Sequence, residues 1–162
     1  MLFFKFKNNF LKIKLRNKQL INIRPETTDY HELISVLSGV EYPISMVKIK
    51  NKSPIIFDVG AHIGSFTLYA KSIFPASSIY AFEPNKENFH LLEKNIKDNN
   101  FNNIHIFNNA ISNKNLICDF FINEKNPNES SIYEGEKKQR IEALSLTKII
   151  KQENIKKIDI FK

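Results

Sequence analysis

The spacing of apolar residues changes rhythm along the chain. Leu11-Lys12-Ile13-Lys14-Leu15-Arg16 alternates apolar with basic, the period of a strand with one buried face. Asn17-Lys18 supplies a turn and Leu20 to Ile23 continues extended, which predicts a hairpin whose lysines form a solvated face. Arg24-Pro25 breaks the pattern, and Thr27 or Thr28 then caps a short helix running through Leu37 and closed by Ser38-Gly39. Together these elements make an N-terminal appendage over residues 1–50.

After Pro54 strands and helices alternate over residues 54–162. Ile55 to Val59 is a short apolar run of the kind that a central parallel strand, buried on both faces, requires. Phe66, Ala70 and Ile73 share one helical face beyond it, and Ile79 to Phe82 is the next strand. Asn85 caps a helix in which Phe89, Leu92 and Ile96 recur at helical spacing and Glu93 can pair with Lys97. Ile104 to Phe107 is a third strand. Strand, helix, strand, helix, strand is the pattern of an α/β parallel sheet with right-handed crossovers. Beyond it the pattern loosens. Leu116 to Ile122 reads as a strand, residues 124–140 as a polar and mobile loop, and Ile141 to Leu144 as a short strand. Ser145 caps a helix carrying Leu146, Ile149 and Ile150, and Ile158 to Phe161 begins a last strand. There is no internal repeat.

Composition narrows the class without naming a partner. With 162 residues, 42% apolar and 25% charged, this is a soluble chain large enough for one real core. The net charge of +7 would suit nucleic acid or an anionic membrane, but most of the lysines are scattered among asparagines and no nucleic-acid recognition module is readable, so no nucleic acid is expected. Cys118 is the single cysteine; an internal disulfide is impossible, and a reducing, cytoplasmic location is expected. The four histidines show no metal-ligand spacing, so no metal is expected. The N-terminus makes a poor signal peptide, and no segment approaches the roughly 18 apolar residues of a membrane span.

Candidate chemistry collects at strand ends. In Ile55-Ile56-Phe57-Asp58-Val59-Gly60-Ala61-His62-Ile63-Gly64, two of only four glycines follow an acid at the first strand-to-helix turn. In open α/β sheets ligands bind outside the carboxyl ends of the strands. A dinucleotide fingerprint would need G-x-G-x-x-G, whereas here bulky His62 stands between Gly60 and Gly64. Asp58 would repel a pyrophosphate but attract an ammonium group, and helix amides attract a carboxylate. Glu83 ends the second strand and could accept both hydroxyls of a ribose. Asn108-Asn109-Ala110 follows the third strand and suits an adenine. An amino-acid site, a ribose site and a base site on successive strands describe S-adenosylmethionine, not a nicotinamide dinucleotide. Each piece also has a bland alternative: glycines are common in such turns, and Glu83 could simply complement the dipole of the next helix.

The stretches IIFDVGAHIGSFTLYAK, YAFEPNKENFHLLEKNIKDNN, NNAIS, SSI and KIDIFK resemble FkbM-type methyltransferases, a class I group dependent on S-adenosylmethionine. The resemblance runs from about Pro54 to Lys162, with a weaker echo in Asn22-Ile23-Arg24-Pro25 and Glu41-Tyr42. It implies a Rossmann-like sheet, here with strands in the order 3-2-1-4, and a cofactor held by Asp58, Gly60, Ala61, His62 and Gly64 at the first motif. Glu83 would hold the ribose, and Asn109 and Ala110 would lie by the adenine. His62 stands where members typically carry Asn. The implied reaction is O-methylation of a sugar, a glycan or a small-molecule hydroxyl. Members continue after IDIFK with an I-D-x-E-G motif. The sequence is therefore expected to be a truncated chain whose catalytic residues lie beyond Lys162, whose last strand is an exposed edge prone to self-association, and which does not turn over and is poorly stable. The alternative is a non-catalytic remnant that binds only the nucleoside.

Overall fold

The N-terminal alternation folds as a strand pair and gains a third strand. The computed structural model describes residues 10–122 and 137–162 and the backbone of 5–7. In it β1 (Lys5–Lys7) pairs antiparallel with β2 (Phe10–Lys14), and β2 with β3 (Leu20–Ile23). Ile13, Ile21 and Ile23 are buried while Lys14 faces solvent, so the period of two does sort the strand faces. α1 (Asp29–Leu37) follows. Of the two candidate caps it is Thr27 whose hydroxyl accepts the Asp29 amide, at 3.2 Å, while donating to Arg24 O at 3.0 Å.

The strand–helix alternation then builds the main sheet. β4 (Ile55–Val59), α2 (Ser65–Ile73), β5 (Ser78–Phe82), α3 (Lys86–Asp98) and β6 (Ile104–Phe107) succeed one another. α3 is capped by Asn85, whose side chain accepts the Glu87 and Asn88 amides. All pairings are parallel. Ile56, Phe57, Ile79 and Phe82 are fully buried, as strands covered on both faces demand. α2 is buried from Ser65 to Lys71 because α1 packs on its outer side; Ile73, expected on its inner face, is 36% exposed at the helix end.

The second half departs from the expectation. β7 (Ala110–Ser112), β8 (Leu116–Ile122) and β9 (Lys137–Ser145) form a separate three-stranded sheet in the order β7-β9-β8. Residues 124–136 of the expected loop lie outside the described residues, but 137–140 are strand, paired with 119–122. Lys137-Lys138-Gln139-Arg140 carries no apolar alternation because three of the four side chains face solvent; backbone pairing makes the strand, with Lys138 also paired to Asp119 across it at 2.8 Å. α4 (Leu146–Gln152), capped by Ser145 at 3.2 Å, leads to β10 (Ile160–Phe161), which lies parallel to β4. The main sheet is β10-β4-β5-β6, the expected order with the last strand beside the first.

The appendage does not stand apart. Ile13, Ile21, Ile23 and Leu33 share one apolar cluster with Ile63, Leu68 and Leu91. Buried amides fix its position. Asn95, fully buried on α3, accepts from the Asn22 backbone (2.7 Å) and side chain (2.8 Å) and donates to Asn22 O (3.1 Å) and Ile63 O (2.8 Å). One side chain therefore ties ribbon, helix and glycine turn together. Beside it Asp98 accepts from Lys12, Asn22 and Lys94 at 2.8, 2.9 and 3.1 Å.

Two expectations follow. Each buried polar group left unpaired costs about 1–3 kcal/mol, so Asn95→Leu, which strands several, should lower unfolding free energy in urea by at least about 2 kcal/mol. Burial raises the Asp98 pKa, but Lys12, Asn22 and Lys94 outweigh it and lower it to about 2 from 3.8. A depressed carboxylate contributes stability that is complete above its unfolded pKa and is lost as pH falls through the folded one. Asp98→Asn should therefore flatten part of the stability loss between about pH 4 and pH 2, measured as urea midpoints across that range.

Candidate functional site

The turn after β4 has an unusual backbone. Gly60, His62 and Gly64 all adopt positive φ, at 71°, 52° and 92°. For Gly60 the conformation alone requires glycine, since a Cβ there would meet nothing within 4 Å. For Gly64 space requires it too: a Cβ would lie 2.7 Å from Leu92 Cδ1. His62 is tolerated because His, like Asn, enters the left-handed region several-fold more often than most side chains.

A cluster of charge holds His62 from the side of the appendage. Arg24 donates to Asp29 through Nε (3.0 Å) and Nη2 (2.8 Å) and from Nη2 to His62 Nε2 (3.1 Å). A guanidinium can only donate, so Nε2 accepts and Nδ1 carries the proton toward the Glu32 carboxylate beside it. Burial acts to raise the Asp29 pKa, but the hydrogen bonds and charge of Arg24 prevail and hold it below the ordinary aspartate value.

Glu83 joins the first turn to the second. Its Oε2 accepts the His62 amide at 2.8 Å and its Oε1 the Asn85 amide at 2.9 Å. Burial pushes its carboxyl above the usual glutamate range, against the opposing pull of the Asn85 and His62 amides. Both readings of Glu83 thus have a basis: it serves the start of α3 and its carboxylate also faces a cavity.

That cavity, of about 420 Å³, opens over the ends of β4, β5 and β6, within the roughly 300–1,000 Å³ of small-molecule sites. Gly60, His62, Glu83, Asn109 and Ala110 line it together. Asp58, Ala61 and Gly64 do not. Ala61 is buried against Ala81 and Leu92, and Gly64 lies beneath the start of α2. Asp58 is fully buried: its Oδ2 accepts the Thr67 hydroxyl at 2.6 Å and its Oδ1 meets Lys162 Nζ at 3.0 Å. Burial draws the Lys162 ammonium down, but Asp58 outweighs it and the pKa lies above the ordinary lysine value. Asn109 reaches the Glu142 carbonyl at 3.1 Å. Asn108 braces the second turn, donating to Glu83 O at 2.8 Å.

Sequence reasoning missed several wall residues. Glu32, Val36, Glu41 and Tyr42 come from the appendage, Phe120 from the small sheet and Lys162 from β10's end. Only Glu41-Tyr42 had left a signal, in the weaker echo of the family pattern.

A protein-family model described as "Methyltransferase FkbM domain" matches residues 58–162. A curated relative, "Methyltransferase 1" of Beauveria bassiana (strain ARSEF 2860), is 24% identical over 109 residues, covering 65% of this chain and 44% of that protein. Two solved structures are similar over 65% of the chain. P. horikoshii TYW2 in complex with MeSAdo is 17% identical with a TM-score of 0.47 and is covered over 38% of its length. M. jannaschii TYW2 in complex with AdoMet is 24% identical with a TM-score of 0.46 and is covered over 48%. The chain thus spans less than half the length of each of these relatives.

The geometry separates the two glycines. A left-handed non-glycine residue costs about 1–2 kcal/mol and overpacking a further 1–3 kcal/mol or so. Gly64→Ala should destabilise by about 2–5 kcal/mol in urea titrations, and Gly60→Ala by only about 1–2 kcal/mol.

Proposed function

Because the chain belongs to the FkbM methyltransferase family, whose members use S-adenosylmethionine, we propose that its strand-end cavity holds that cofactor and serves O-methylation of a sugar, a glycan or a small-molecule hydroxyl. The observation that carries this reading is the buried Glu83 carboxylate in the wall of a cavity that crosses three successive strand ends. The donor set fits the cofactor: after its bonds from the His62 and Asn85 amides and a longer one from the Asn88 side chain, Glu83 keeps acceptor capacity on Oε2 for a ribose hydroxyl, Gly60 leaves the backbone open to close approach, and Asn109 and Ala110 flank the third strand end. When bound, the cofactor supplies an electrophilic methyl group. The chain's contribution is to hold and orient it, since proximity and alignment can supply much of such a barrier. Glu32, Glu41 and Tyr42, which precede the family match over residues 58–162, line the same cavity as Gly60, Glu83 and Lys162 within it. Among the described residues no helix is long and apolar enough to cross a membrane. A cytoplasmic location is part of the proposal, supported by the single cysteine.

Titration calorimetry on the chain checks the proposal. S-adenosylhomocysteine should bind more tightly than NAD, and the reverse order would overturn it. Hydrogen bonds to a charged group contribute about 1.5–3 kcal/mol, so Glu83→Ala should weaken S-adenosylhomocysteine about 10- to 100-fold. Because Ala strands the His62 and Asn85 amides and Gln would set its NH2 group against one of them, the melting temperature of Glu83→Ala is read beside its affinity: a chain that still unfolds cooperatively and binds more weakly supports the ribose role, whereas lost stability with unchanged affinity would make Glu83 a structural cap.

A further inference from the structure

The surroundings of Lys162 are those of an ammonium receptor. Its Nζ lies 3.0 Å from Asp58 Oδ1 and donates to Gly60 O at 2.8 Å. It also sits 5.6 Å from the centre of the Tyr42 ring and 5.7 Å from that of Phe66. A carboxylate, a carbonyl and two aromatic faces attract a compact cation by charge, by hydrogen bonding and by the ring quadrupole. The lysine side chain is 14% exposed and the Asp58 side chain not at all. Lys162 lines the cavity and Asp58 does not, so the lysine stands between that carboxylate and any ligand. Among the described residues lining the cavity it is the one Lys or Arg, facing Glu32, Glu41 and Glu83.

We propose that Lys162 is a tethered competitor for the cofactor's α-ammonium: it fills the receptor at Asp58, and a ligand bearing an amino-acid head must displace it. This rests on the assignment of the cavity to S-adenosylmethionine and deepens it by naming the residue that sets the site's preference between nucleosides with and without that head. Lys162 is a positioning residue in this scheme. A nucleoside without an ammonium group binds with the lysine in place; one with it gains Asp58 only by moving the lysine out.

The test compares S-adenosylhomocysteine with 5′-methylthioadenosine, which keeps the nucleoside and thioether but lacks the amino-acid head. In calorimetry, Lys162→Met should raise affinity for S-adenosylhomocysteine at least about tenfold and leave 5′-methylthioadenosine unchanged, a shift in ratio that a merely structural lysine would not produce. A fall in S-adenosylhomocysteine affinity would mean that Lys162 holds the ligand's carboxylate, and an unchanged ratio that it is only structural; either overturns the proposal while leaving the cofactor assignment intact. If neither nucleoside binds wild type, the assignment itself falls and this inference with it. Because Lys162→Met leaves Asp58 buried without its cation and could fail to fold, a second measurement uses the wild-type chain. Amine labelling read by mass spectrometry should find Lys162 protected alone and with 5′-methylthioadenosine, and reactive with S-adenosylhomocysteine. Protection under all three conditions would refute displacement.

Discussion

The Glu83 carboxylate is the constraint around which this site is organised. A buried carboxylate is costly unless its oxygens are satisfied, and here they are satisfied by the backbone of two different strand-to-helix turns, through His62 and Asn85. Each amide bond fixes the position of the turn that supplies it. The left-handed backbone of Gly60, His62 and Gly64 gives the first turn the shape that points the His62 amide at Glu83. Asn108 then anchors the Glu83 carbonyl to the third strand end. Three loops that could otherwise move independently share one set of hydrogen bonds, and the cavity lies where they meet.

The appendage acts as more than a lid over the sheet. Its isoleucines enter the same core as Ile63, Leu68 and Leu91, and Asn95 joins its β3 strand to the glycine turn through Ile63 O. The ion cluster of Arg24, Asp29 and Glu32 clasps His62 from the other side. His62 is thereby given a charged environment of its own. The backbone amide toward Glu83 is kept, while the imidazole is held among the appendage's charged side chains.

Charge is distributed unevenly around the cavity. Three carboxylates face it, and the single Lys or Arg among the described wall residues is committed to Asp58. Such an interior favours a ligand carrying positive charge, and a sulfonium with an ammonium head meets that condition better than a pyrophosphate. Glu32, Glu41 and Glu83 form a wall of acids that no local motif announces.

The sequence by itself determined the strand–helix alternation of the parallel sheet and the caps at Asn85 and Ser145, because these depend on periods and short spacings within one segment; the strand order was implied by the family resemblance alone. The collection of Gly60, Glu83 and Asn109 at neighbouring strand ends was legible for the same reason: in an α/β unit each turn follows its own strand, so strand order places the turns. Only the tertiary structure decided the rest. Lys137-Lys138-Gln139-Arg140 reads as polar loop because nothing packs on most of its side chains, yet backbone pairing makes it a strand. Lys162 carries no local signal in the sequence, and its register beside β4 brings its amine to Asp58. Glu32, Tyr42 and Phe120 belong to elements far away in sequence, and burying the apolar faces of those elements is what carries them to the cavity. Long-range packing leaves no local period, so one segment read alone could not show it.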